Sequence, residues 1–235
     1  QGRTLRLGLA TRYRKPSIAR VAGEARMNDT TVGSRSQDRG VARRHAFLQA
    51  AREVFLEQGY IAASVNDVVR RAGGSLATLY AQFGNKEGLF LAVAQELHEE
   101  LVRAMTPQDV DHLPLEDGLQ IIGEQFLRTT LAPDNLAFFR IIVGEGRHFP
   151  EQVHRYLAQG GAVKVRGVIA GYLVARGVKC GDPEMYASYL MELWRTRHQY
   201  RALSAPDYRI SDADLAAHVR EGVRFFLRAV RDELN

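Results

Sequence analysis

Leu76, Ala77, Thr78, Tyr80 and Gln82 follow Ser75 in one short uncharged stretch that combines hydroxyl, phenol, amide and methyl groups. Such groups hydrogen-bond to base edges and phosphate oxygens or pack on thymine methyls. Thr78 and Tyr80 lie two apart on a helix of about two turns, so they project from adjacent parts of one face. Leu79 and Phe83, four apart, point the other way and are predicted to seat the helix on Phe55 and Val68. Ser64 and Ser75 read as helix caps whose neighbouring amides also meet phosphates. The stretch itself carries no Lys or Arg, so the electrostatic share of any nucleic-acid contact falls to Arg43, Arg44, Arg70, Arg71 and the basic N-terminal leader. Catalysis has no comparable support: the chain has no G-x-S-x-G, no H-E-x-x-H, no phosphate-binding glycine loop and no clustered Cys and His. No cofactor or metal is expected, and the protein is read as a non-enzyme.

The elements that must position these groups are helical almost throughout. Phe47, Ala50, Ala51, Val54 and Phe55 make one apolar stripe on a helix from Arg43 to Gln58, and Gly59 supplies its left-handed stop. Ser64 to Asp67 resembles a capping box that opens a short helix ending at Gly73 and Gly74. Ser75 opens the next, from Leu76 to Gln82, and Asn85 caps a long one that stops at Thr106 and Pro107. Pro and Gly punctuation then separates helical stretches at 115–131, 134–148, 150–176, 183–204 and 212–232. No strand, hairpin or fixed-period repeat is evident, so the fold is predicted to be all-α, with about nine helices. Two short helices joined by a tight glycine turn, with a third in front, are what a helix-turn-helix requires.

Phe55, Gly59, Tyr60, Ser64, Val65, Val68, Ala72, Gly73, Thr78, Leu79, Tyr80, Phe83, Lys86, Glu87 and Leu89 together resemble the DNA-binding domain of the TetR family of bacterial regulators. One departure matters: that family commonly has Val-Ser-Lys or Val-Ser-Arg before its Thr-Leu-Tyr, whereas this chain has Gly74, Ser75 and Leu76. The resemblance implies DNA contacts from Arg44, Ser64, Ser75, Leu76, Ala77, Thr78, Tyr80, Gln82 and Lys86, the last as a phosphate clamp. It also implies three divisions: a basic flexible arm over 1–40, the helix-turn-helix over 41–90, and a regulatory and dimerisation domain over 91–235.

Residues 138–203, with their F-R-I-I-V-G-E-G-R-H-F-P-E run, resemble the AefR-like subgroup of the same family. A ligand pocket is then expected on central helices, with Phe126, Phe138, Phe139, Val143, Tyr172 and Tyr189 as lining candidates, although aromatic stripes more often build core. Arg140 and Glu145 are expected to pair with each other or with an effector. Leu190, Trp194, Val219, Val223, Phe226 and Leu227 supply the stripes of an expected four-helix dimer bundle. A homodimer on a palindromic double-stranded operator, released by an unidentified apolar or amphipathic small molecule, is the implied mode of action. The alternatives are a TetR-shaped DNA-binding protein with no effector, serving the nucleoid or cell division, and an activator.

The charge balance fits this reading. Of 235 residues, 32 are Lys or Arg and 27 are acidic, and the surplus sits in the first 40 residues, which hold nine bases against three acids. Such a leader serves as a minor-groove arm; the bland alternative starts the natural chain at Met27 and makes the leader upstream sequence. No run approaches the roughly 18 apolar residues of a membrane span, so no membrane partner is expected. The single cysteine, Cys180, offers no disulfide framework. A cytoplasmic location follows as an expectation. His98 and His148 lack metal-ligand spacing to other candidates.

Overall fold

The computed structural model describes residues 31–105, 110, 112–179, 181–205 and 207–230. Most of the basic arm, including Met27, and Cys180 lie outside the described residues. The chain divides into two units, Gln1–Asp38 and Arg39–Asn235, and both hydrophobic cores belong to the second.

Ten α-helices and one 3-10 turn are present among the described residues, and no strand. The first four are α1 (Thr31–Ala62), α2 (Val65–Ala72), α3 (Leu76–Phe83) and α4 (Lys86–Met105). Then come α5 (Leu115–Thr130), α6 (Pro133–Glu145), the 3-10 turn (Gly146–His148), α7 (Pro150–Gln159), α8 (Gly161–Ala175), α9 (Pro183–Ser204) and α10 (Asp212–Ala229). The all-α expectation holds. α1 breaks at Gly59, which adopts φ 78°, as its stop signal demands.

The stretch expected as one helix over 150–176 is two, because Gly160 is extended and packs against a ring. A Cβ at Gly160 would lie 2.5 Å from His98 Cε1, and one at Gly161 2.7 Å from His98 Cδ2. The glycine pair therefore lets the His98 imidazole approach the backbone between α7 and α8, where it also sits 4.5 Å from the Tyr156 ring.

One core gathers α5, α8, α9 and α10 around Trp194, Leu119, Ile169 and Val219, all buried. Gly123 and Gly222 flank Trp194, and a Cβ at Gly123 would stand 2.7 Å from the indole, so close packing of α5 on α9 requires glycine there. The other core runs from α1–α4 into α6 and Phe149, stacking Phe90 on Phe138 at 4.8 Å. Packing therefore continues past residue 90, where a domain boundary was expected, and α4 contacts α5, α7 and α8 as well as α3. Among the described residues no helix is long and apolar enough to cross a membrane.

Candidate DNA-binding site and its links to the regulatory helices

Each end of α2 and the start of α3 is closed by a residue whose role is local. Ser64 Oγ accepts the Asn66 amide at 3.2 Å, and Ser75 Oγ accepts the Thr78 amide at 3.1 Å. Between them Gly73 and Gly74 take φ 69° and 115°, conformations that side chains resist, and so make the turn. Arg43 Nη1 donates to the carbonyls of Gly73 at 2.9 Å and Ala72 at 3.3 Å, capping the end of α2.

α3 is split into two faces. Leu79 and Phe83 are buried, in one cluster with Phe55 and Val68, and the Phe83 ring meets Phe47 edge-on. Leu76, Ala77, Thr78 and Tyr80 are exposed, Tyr80 by 45%. Thr78 Oγ1 shares a hydrogen bond with Ser75 Oγ at 2.9 Å, which fixes its rotamer. Gln82 is only half-exposed, and its Oε1 is buried without a partner among the described residues, so its amide is less open to a base than the spacing suggested.

The cations around α3 are less available than their number implies. Arg71 is engaged by Glu57 and Glu53, and Arg70, three-quarters exposed, pairs with Asp67. Arg43 is a cap. Arg44, an exposed residue with no carboxylate partner among the described residues, lies with its guanidinium 4.6 Å above the Phe83 ring and is the base best placed to meet a phosphate. Lys86 Nζ donates to the Ile61 carbonyl at 3.0 Å and sits 4.9 Å over the Tyr60 ring. Burial holds its ammonium below the usual lysine range, opposed by Glu145 and Glu87. Burial also pushes the Tyr60 phenol up to about 12.

Sequence spacing does not reveal how this region meets the regulatory helices. The Ile61 amide donates to Glu145 Oε2 at 2.7 Å, so the two peptide units that flank Ile61 are held by Glu145 before its Cα and by Lys86 after it. At the far end of α6, Asp134 Oδ2 accepts from Arg52 Nε at 2.9 Å, while Arg52 Nη1 reaches Glu100 on α4 at 2.9 Å. Both ends of α6 are thus tied to α1.

Arg140 and Glu145 do not pair. Five residues apart on a helix, they diverge by roughly 140°, and Arg140 instead donates to the carbonyls of Ala202 at 2.7 Å and Leu203 at 3.2 Å, capping α9. Nor do the six pocket candidates converge. Phe126 and Tyr172 lie in the α5–α10 core and Phe138 in the other, Phe139 is half-buried, and Val143 and Tyr189 are 68% and 54% exposed. The stripe expected at the dimer face is turned inward. Leu190, Trp194, Val219, Val223 and Phe226 are buried inside the subunit and Leu227 half-buried, because these positions close α9 and α10 onto α5. The outward face of the same helices shows Tyr189 and Phe225 around a groove of about 680 Å³ that Tyr186, Leu193 and Phe226 help to line. Among the described residues no three His, Cys, Asp or Glu side chains are placed to hold a metal ion.

An exposed polar helix face, seated by its apolar side on a three-helix unit, defines a helix-turn-helix DNA-binding protein. Residues 47–93 match the model of the bacterial regulatory proteins of the tetR family, and residues 117–231 match that of the AefR-like transcriptional repressor C-terminal domain. The chain belongs to the TetR family of transcriptional regulators. Over 50 residues it is 50% identical to the HTH-type transcriptional repressor ComR of Escherichia coli, a match that spans 21% of this chain and 24% of ComR. The structure resembles the flavonoid-responsive regulator FrrA, with a TM-score of 0.67 and 28% identity over 80% of this chain and 96% of FrrA. A TetR transcriptional regulator from Agrobacterium tumefaciens shares the fold, with a TM-score of 0.64 and 22% identity over 82% of this chain and 98% of that one.

Proposed function

We propose that the protein is a dimeric, effector-responsive repressor that binds a palindromic operator in the cytoplasm. The observation that carries this reading is α3, whose one face is locked into the core while Leu76, Ala77, Thr78 and Tyr80 stand in solvent. One such helix reads too few bases for specificity; two of them, about 34–36 Å apart, read successive major grooves of one operator. Ser64, Ser75, Arg44 and Lys86 supply phosphate contacts, and Gln82 reaches a base after a rotamer change. The apolar outward face of α9 and α10 supports pairing of two copies about a two-fold axis.

Release follows from the ties between α6 and α1. An apolar or amphipathic molecule bound among the regulatory helices displaces α6, and the Arg52–Asp134 and Ile61–Glu145 links pass that displacement to α1 and so to α3. A coupling of about 1–3 kcal/mol, or roughly 5–150-fold in operator affinity, suffices for a switch. FrrA, whose name records a response to flavonoids, supports an effector of small amphipathic type.

The test is fluorescence anisotropy with the duplex that lies upstream of the protein's own gene, comparing the natural chain with a Thr78→Ala/Tyr80→Ala variant. Binding that weakens with salt and is lost in the variant, whose melting temperature stays unchanged, is the expected outcome. Equal binding by both proteins would remove α3 as the reading helix.

A further inference from the structure

A second cavity, of about 470 Å³, lies at the turn between α9 and α10, away from α3. Its chemistry is unlike that of the apolar groove beside it. Arg197, Arg201 and Arg209 line it together with His198, His218 and Tyr208, against two acids, Asp214 and Glu221. Arg197 and Arg201 stand four apart on one helix face, where like charges destabilise each other. Among the described residues neither has a carboxylate within ion-pair distance. Asp214 accepts a hydrogen bond from Ser211 Oγ at 2.7 Å.

The floor of the cavity is ordered. Tyr208 places its hydroxyl 2.5 Å from His198 Nδ1 and offers its ring to the Arg201 guanidinium at 4.9 Å. His218 meets His198 edge-on at 4.3 Å and donates from Nε2 to the Trp194 carbonyl at 2.9 Å. His198 is 7% exposed, and its Nε2 is buried without a partner among the described residues. Burial, reinforced by His218, Arg197 and Arg201, holds that imidazole down at about 4, so it stays neutral at ordinary pH. The Arg197 and Arg201 guanidinium groups, with no carboxylate in ion-pair distance among the described residues, over a fixed aromatic and imidazole floor are the arrangement that receives an oxyanion through forked N–H donation.

We propose that this cavity is a binding site for a small phosphate-bearing ligand, with Arg197 and Arg201 as its principal donors and Tyr208 and His198 holding Arg201 in place. The volume exceeds what a bare phosphate fills, which favours a phosphomonoester. The site is separate from the operator-reading helix and stands whether or not the protein is a repressor, because its test reads binding alone. Arg197 also borders the outward groove of α9 and α10, so a loaded site lies at the margin of the proposed dimer face.

The test is thermal unfolding of the full chain in glycerol phosphate, in inorganic phosphate and in sodium chloride, at one pH and matched ionic strength. Arg197→Gln, Arg201→Gln and, as a charge control outside the cavity, Arg224→Gln are measured beside the natural chain. The expected result is a saturable rise in melting temperature with glycerol phosphate, weaker or equal with inorganic phosphate, and absent with chloride. Each cavity variant should weaken apparent affinity by about tenfold, the size of one charge-assisted contact, while Arg224→Gln leaves it unchanged. A rise that never saturates, that chloride reproduces, or that all three variants share would overturn the proposal. So would sedimentation showing that Arg201→Gln shifts the monomer–dimer balance while phosphate affinity is unaltered, since the partner copy would then be what neutralises these arginines.

Discussion

Ile61 donates its amide hydrogen to Glu145 and accepts from Lys86 at its carbonyl, and this one residue decides what Lys86 can do for DNA. A lysine engaged with a backbone carbonyl still has two N–H groups, so Lys86 can hold the α1 end, meet a phosphate, or both. The two roles separate experimentally. Lys86→Met removes the ammonium and keeps the stem; if the carbonyl is its main partner, stability falls by about 1 kcal/mol and operator affinity keeps its salt dependence. A phosphate contact would instead lower the slope of log affinity against log salt by about one. We expect a loss of stability together with a shallower salt slope, read in thermal unfolding and in anisotropy at several salt concentrations. Glu145→Ala cuts the link to α6 and removes one of the two carboxylates that support the Lys86 ammonium; it should destabilise by about 1–2 kcal/mol and weaken the response to effector while α3 keeps its contacts. A switch that worked as before in Glu145→Ala would show that this link transmits nothing. The caps Ser64, Ser75 and Asn85 were legible in the sequence because each acts within three residues of itself. The Ile61 clamp was not, because it joins positions that only the fold brings together.

The helices themselves were predicted within a residue or two for α2, α3, α5 and α9, where caps and glycines are explicit. α7 and α8 were merged because a glycine pair within an apolar stretch does not announce a buried ring beside it. Gly160→Ala is therefore costly: its Cβ would stand 2.1 Å from the Tyr156 carbonyl and 2.5 Å from His98, and a loss of about 1–3 kcal/mol is expected in denaturant unfolding. The same contact gives a pH dependence. Burial, with Lys164 adding to it, lowers the His98 imidazole from 6.5 to about 4. Between those values the unfolded chain binds a proton that the folded one refuses, so this contribution is complete above pH 6.5 and is lost as pH falls toward 4. A shift of this size corresponds to about 3 kcal/mol. His98→Phe, which keeps a ring against the glycines, should remove about half of the slope over that window, the remainder being due to His198, which is lowered to about 4 as well. An unchanged slope would mean that His98 accepts its proton without opening the core. On α9 and α10 the apolar periodicity correctly grouped Leu190, Trp194, Val219, Val223 and Phe226, but periodicity says which residues share a face and not what that face meets. Both sides of these helices carry aromatics, and the more apolar side closed the subunit.

In the proposed dimer two subunits must hold their recognition helices at a fixed spacing, so operator affinity would measure the dimer as much as α3. The outward face of α9 and α10 is where that demand falls: Phe225, 57% exposed, and Tyr189 border a groove of about 680 Å³ whose further wall includes Leu193 and Phe226. Exposed aromatics gathered in one such patch mark an interaction surface. In a two-fold interface every substitution occurs twice, and a carboxylate introduced there is desolvated and set near its own copy. Phe225→Glu or Tyr189→Glu should therefore raise the dimer dissociation constant by about 100-fold, equivalent to about 3 kcal/mol. Val174→Glu, which adds the same charge to an exposed apolar position on α8, should leave it unchanged. Sedimentation velocity reads the association state and anisotropy the operator affinity. If the α9–α10 face sets the spacing, the two losses appear together, and DNA binding returns at protein concentrations that restore the dimer. Loss of operator binding from a protein that remained dimeric would place the subunit contact on another face and leave this groove to a different partner.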